Sequence, residues 1–149
     1  MLTIYTDMSR RHNVVATSCL ILSTKNFLGY NVRQHEGVDN SIVGELVGIA
    51  DGLDYAVQSG CVHDGDKVVI CCDSQPTLSM LETARSKSIR PKRYVVYIDD
   101  VLDRCRGLNV TFQYIKGHQL DHNPNKIVDL SSNTSLRYSS LLNTQVQGR

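Results

Sequence analysis

Four acidic side chains at the ends of structural elements are the residues in this sequence most suited to chemistry. Asp7 closes a short β-prone run, Leu2–Thr6, and Asp73 closes a continuous apolar run, Lys67–Cys72. If these runs pair as parallel strands, the two carboxylates emerge side by side at one sheet end, where open α/β sheets bind their ligands. Glu45, in a helical pattern set by Ile42, Leu46 and Ile49, and Asp129, near the start of a last helix, bring a third and fourth acid towards the same edge. Clustered carboxylates repel unless a cation neutralises them. An all-oxygen set without Cys or an obligatory His suits Mg²⁺, with Mn²⁺ as the alternative, rather than zinc. Two such ions roughly 4 Å apart stabilise the attacking and leaving oxygens of a phosphodiester displacement. One Asp at a strand end is more often a turn former or helix cap; four at matching topological positions point to a site.

The elements that would hold these acids are legible in the pattern. Leu2–Thr6, Val14–Leu22 and Phe27–Gln34 are β-prone, and the polar breaks between them, Ser9–Asn13 and Ser23–Asn26, are long enough only for hairpins. Asp39 and Asn40 offer cap side chains to a helix running to Ala56. The run Lys67–Cys72 reads as a central strand covered on both faces. Pro76 fits the first turn of a second helix, to about Ala84. Tyr94–Arg106 reads as a third helix, with Val95, Ile98, Val101, Leu102 and Cys105 on one side. Leu108–Ile115 alternates as a fifth strand, and Asn125 to about Leu136 forms a weak last helix. The order βββαβααβα predicts an α/β domain with a five-stranded mixed sheet, strands 1–3 antiparallel and strands 4 and 5 parallel to strand 1.

A chain of 149 residues is the length of one domain, and 41% hydrophobic residues suffice for a core. The longest uncharged apolar-leaning stretch, His12–Thr24, is shorter than the roughly 20 residues that cross a bilayer, so no membrane partner is expected. Five cysteines, odd in number and without CxxC spacing, are expected to be reduced in a cytoplasmic setting. His118 and His122 stand four apart, but with no Cys pair nearby and Pro124 breaking any helix they do not suggest zinc. Phosphate-cradling glycine loops and a GxSxG elbow are absent. The net charge of +1 conceals a partition: Arg85, Lys87, Arg90, Lys92 and Arg93 form a basic run without an acid, the four proposed ligands form an acidic group, and the remainder balances. Such a run is usually a solvated face; opposite an acidic metal pocket it also suits a polyanion.

Tyr5-Thr6-Asp7-x-Ser9, Glu45, Cys72-Asp73-Ser74-Gln75, and Tyr114-Ile115-Lys116-Gly117-His118 followed by Asp129 together resemble the type 1 ribonuclease H family, over about residues 1–136. The resemblance implies a ribonuclease H-like catalytic domain over 1–136, with 137–149 as a loose tail. It implies an endonuclease that hydrolyses the RNA strand of RNA–DNA hybrids with two Mg²⁺ ions, leaving 3′-hydroxyl and 5′-phosphate ends; a monomer is expected. Asp7, Glu45, Asp73 and Asp129 would then hold the ions, and His118 would assist proton transfer or product release. Gln75 would face the minor groove, where 2′-hydroxyls mark RNA. Ser9, Asn40 and Ser41 are further substrate contacts on this view, Asn40 being one residue further from Glu45 than the family pattern. The basic run occupies the place of a handle that grips the DNA strand, abbreviated and lacking Trp.

Met8 stands where the family has Gly, implying either reduced activity or local repacking, and Lys126 stands where some relatives have an acid. Two alternatives remain at this stage. One is a nucleic-acid-binding module of the same fold with weakened catalysis; the other is a different nuclease of the superfold, such as a junction resolvase.

Overall fold

The computed structural model describes residues 1–24 and 26–116. Strands β1 (Leu2–Arg11), β2 (Val14–Ser23) and β3 (Asn26–Glu36) form two antiparallel hairpins. Helix α1 (Ser41–Gln58) crosses over to β4 (Lys67–Cys72), followed by α2 (Gln75–Lys87), α3 (Val95–Arg104) and β5 (Asn109–Tyr114). The sheet order is β3-β2-β1-β4-β5, with β4 parallel to both β1 and β5. The predicted mixed α/β sheet is therefore present; the last helix expected over 125–136 and the tail over 137–149 lie outside the described residues.

Boundaries differ where local polarity was a poor guide. The first strand does not break at Ser9: pairing continues to Arg11↔Val14, and the reversal is confined to His12 and Asn13. His12 takes φ 56°, as tight hairpin turns matched to strand twist require. Helix α2 runs past Ala84 to Lys87 and ends on Ser88, left-handed at φ 57°, whose N–H returns to the Ala84 carbonyl. The third helix is found within two residues of its expected bounds, Tyr94–Arg106, at both ends. Pro91 is extended, a 3₁₀ turn at Lys92–Tyr94 follows it, and only then does α3 begin.

The core lies between the sheet and the helices. Ile4 of β1 and Ile70 of β4 are partners in register and fully buried, meeting Leu46, Ile49 and Leu53 of α1, Leu81 of α2, and Ile98 and Val101 of α3. Helix α1 also presents Gly44, Gly48 and Gly52 to the strands at four-residue intervals, which lets its backbone approach β1 and β2 closely. A methyl at Gly52 would stand 3.0 Å from Thr6 Cγ2 and 3.2 Å from Ile4 Cγ2. One at Gly48 would stand 3.5 Å from the Asp7 carbonyl, an ordinary contact. Gly48→Ala is thus expected to stabilise by up to about 1 kcal/mol through helix propensity. Gly52→Ala is expected to destabilise, because the β-branched Thr6 and Ile4 cannot turn away. Urea unfolding of both variants checks this; equal gains at both positions would mean that α1 does not press on β1.

An ionic seam ties α1 to its flanks. Arg33 of β3 binds Asp54 at 2.8 Å, Asp54 also binds Arg104 of α3 at 2.9 Å, and Asp51 accepts from Thr17 at 2.5 Å and contacts His35 at 2.6 Å. The hydrogen bond from Arg33 holds the Asp54 carboxyl below its ordinary value of 3.8, with Arg104 adding to the effect and desolvation opposing it. A depressed carboxylate stabilises the fold above its unfolded pKa and loses that contribution as pH falls through the folded one. Wild-type stability is therefore expected to decline below pH 3.8, and Asp54→Asn to be less stable at neutral pH with a flatter acid limb. Denaturant midpoints across that range measure both; parallel pH curves would contradict it.

Candidate active site

The registered pairing of β1 with β4 ends at Tyr5↔Cys71, and Asp7 and Asp73 each stand two residues further on. Parallel register therefore delivers both to the same end of the sheet, the carboxyl end of β4. Asp7 is 3% exposed, and its Oδ1 accepts from the Met8 N–H at 2.8 Å. Asp73 follows β4 directly and is half-buried.

Glu45 reaches this edge because α1 begins nearby. Asn40 caps the helix, its Oδ1 accepting from the Ile42 and Val43 N–H groups at 2.8 and 3.2 Å. Its amide nitrogen donates to the Tyr94 hydroxyl at 3.4 Å, so the start of α1 is tied to the approach to α3. Half-buried Glu45, in the second turn, then accepts from the Cys72 thiol, Sγ to Oε2, at 3.5 Å. Donor atoms of Glu45, Cys72 and Asp73 lie within 4.8 Å of one another.

A thiol adjoins the expected acids. Cys72 is wholly buried against it, and burial, followed by the negative Glu45, pushes its thiol well above the ordinary value of 9.0. Sequence reasoning did not single out Cys72 as a neighbour of these acids. Its signal was alternation: it lies on the same strand face as Val68 and Ile70, under α1, as the last residue of the strand. The neighbouring carboxylates still fit a hard divalent cation, whose preferred donors are carboxylate oxygens and water.

The other sequence-selected residues divide. Ser9 is half-buried on β1, Ser41 is exposed at the start of α1, and Gln75 is exposed in the first turn of α2 beyond Asp73. In the basic run, exposed Arg85 is engaged by the fold, donating to the Val110 carbonyl at 2.7 Å and to Glu82 at 2.8 Å while lying 4.8 Å over the Phe112 ring. Arg90 pairs with Asp99. Lys87, Lys92 and Arg93 are exposed, with Arg93 over the Tyr94 ring. His118 and Asp129 lie outside the described residues. Met8 packs beside Val15, Val38 and Val43, its sulfur 3.1 Å from where a Gly44 side chain would begin.

No protein-family model and no curated protein matches the chain. Solved structures do. Ribonuclease H1 from the halophilic archaeon Halobacterium salinarum NRC-1 superposes with a TM-score of 0.72 at 14% identity, over 91% of this chain and 97% of that one. LC11 ribonuclease H1, isolated from compost by a metagenomic approach, gives 0.73 at 16% identity over 93% and 96%. LC11 ribonuclease H1 in complex with an RNA/DNA hybrid gives 0.67 at 15% identity over 91% and 99%. The fold is that of ribonuclease H.

Proposed function

We propose that the chain is a type 1 ribonuclease H, an endonuclease that hydrolyses the RNA strand of RNA–DNA hybrids and leaves 3′-hydroxyl and 5′-phosphate ends. The observation that carries this reading is the meeting of Glu45 and Asp73 at the carboxyl end of β4, the end to which parallel register also brings Asp7. The likeness to a ribonuclease H1 structure with bound RNA/DNA hybrid supports the choice of substrate.

Asp7, Glu45, Asp73 and Asp129 would hold two Mg²⁺ ions, or Mn²⁺ in their place. When bound, such ions supply charge neutralisation at the attacking and leaving oxygens and an activated water. The protein's own residues do the rest. Packing of α1 sets where Glu45 stands, and His118, by its place in the KGH motif, moves a proton or speeds product release. Gln75 faces the minor groove and its 2′-hydroxyls, with Ser9, Asn40 and Ser41 as further contacts to the duplex. Lys87, Lys92 and Arg93 bind phosphates of the DNA strand, and Arg85 and Arg90 brace the segment that carries them. Residues 1–136 form the catalytic domain, and a monomer suffices because one chain supplies all four acids. Five free cysteines suit the cytoplasm. No helix among the described residues is long and apolar enough to cross a membrane.

The test is cleavage of a labelled RNA–DNA hybrid, with duplex DNA and a four-way junction as competitors, in Mg²⁺ and in chelator. Hybrid-selective, Mg²⁺-dependent cleavage is expected. An inert protein, cleavage that persists in chelator, or preference for the junction would overturn the assignment.

A further inference from the structure

We propose that Cys72, Glu45 and Asp73 form a binding site for a thiophilic divalent cation of the Zn²⁺ or Cd²⁺ type, overlapping the hard-cation site and able to block it. Among the described residues these are the one group of three His, Cys, Asp or Glu side chains close enough to share an ion. The proposal rests on Glu45 and Asp73 being cation ligands, as above, and adds the sulfur.

The spacing favours it. Metal–sulfur and metal–oxygen bonds of about 2.3 and 2.1 Å at a tetrahedral angle place the two donors roughly 3.6 Å apart. Cys72 Sγ and Glu45 Oε2 stand at 3.5 Å, so an ion can enter between them without a change in backbone. The Asp73 carboxylate, within 4.8 Å of both, closes by side-chain rotation. The Ser74 N–H donates to Cys72 Sγ at 3.4 Å, a supporting contact that orients the sulfur. Total burial of Cys72 means that an ion reaches the thiol by way of the two half-buried carboxylates.

On binding, the S–H bond breaks, the sulfur–metal bond forms from the same electron pair, and one proton passes to solvent; nothing is oxidised or reduced. Mg²⁺, which selects oxygen, leaves the thiol intact. A soft ion uses all three donors and so competes with the hard one.

Cadmium titration of the purified chain without nucleic acid tests this through the ultraviolet charge-transfer band of a cadmium–thiolate bond. The wild type is expected to develop the band at one ion per chain, releasing one proton, and excess Mg²⁺ to oppose it. Cys72→Ser should lose the band and bind Cd²⁺ about tenfold or more weakly, a direct ligand counting for at least as much as its supporting contacts. Cys61→Ser and Cys105→Ser, at half-buried thiols, should keep it. No band in the wild type, or an undiminished band in Cys72→Ser, overturns the proposal. If circular dichroism shows Cys72→Ser to be unfolded, Glu45→Gln decides: weaker Cd²⁺ binding supports the site and wild-type affinity overturns it. Because this readout needs no substrate, its failure is separate from failure of hybrid cleavage.

Discussion

Asp73→Asn is expected to lose Mg²⁺-dependent cleavage of an RNA–DNA hybrid by at least about a hundredfold, since a directly coordinating carboxylate counts for more than a supporting contact. The substitution keeps size and shape and removes one negative charge from the edge where Glu45 and Asp7 remain. An amide oxygen is a weaker partner for a hard cation and leaves the neighbouring charges less well balanced. The fold should survive, because Asp73 lies beyond the last strand residue, half-buried, and contributes nothing to the β4 ladder. Single-turnover cleavage and a melting curve on the same preparation measure both quantities. A variant as active as the wild type would remove Asp73 from the site; one that is inactive because it is unfolded would fail to test it, and Asp7→Asn would then take its place.

Ile70→Ala, three residues earlier and within β4, is expected to behave in the opposite way. Ile70 is wholly buried on β4, between β1 and β5 and beneath the helices, so truncation leaves a void on every side. Loss of such a side chain costs about 2–5 kcal/mol. For a chain of this size that lowers the melting temperature by roughly 5–15 °C. Cleavage per folded molecule should stay within a few-fold of wild type at low temperature, because the strand still ends at the same register. A melting temperature within about 2 °C of wild type would show the core free to close around the gap. The pair of variants thus separates the chemistry at the strand end from the packing that delivers it.

Much of the architecture was legible because it depends on local pattern. The run Lys67–Cys72 matched the observed β4 residue for residue, since five consecutive apolar residues follow the exposed Lys67 and the polar Asp73 ends them. Hairpins could be inferred from break length alone. Ends set by pairing partners were not legible: Ser9–Arg11 look like a loop until Val14–Ala16 pair with them. In the basic run, sequence shows five cations, whereas the fold engages Arg85 with β5 and Arg90 with α3 and leaves Lys87, Lys92 and Arg93 facing solvent.

The acids themselves belong to the sequence. Asp7, Glu45 and Asp73 could be selected because a carboxylate at the end of a strand, or on a helix leading into one, is chemically conspicuous without coordinates. Tertiary structure decided what stands beside them. Cys72 faces α1 rather than solvent because strand alternation places it with Val68 and Ile70, and α1 lies close enough to bring Glu45 to it because Gly48 and Gly52 put no side chain between helix and sheet. Local pattern carries the period of each element and the identity of its residues. Distances between elements depend on which small side chains happen to face each other, and these are fixed only once the layers have packed.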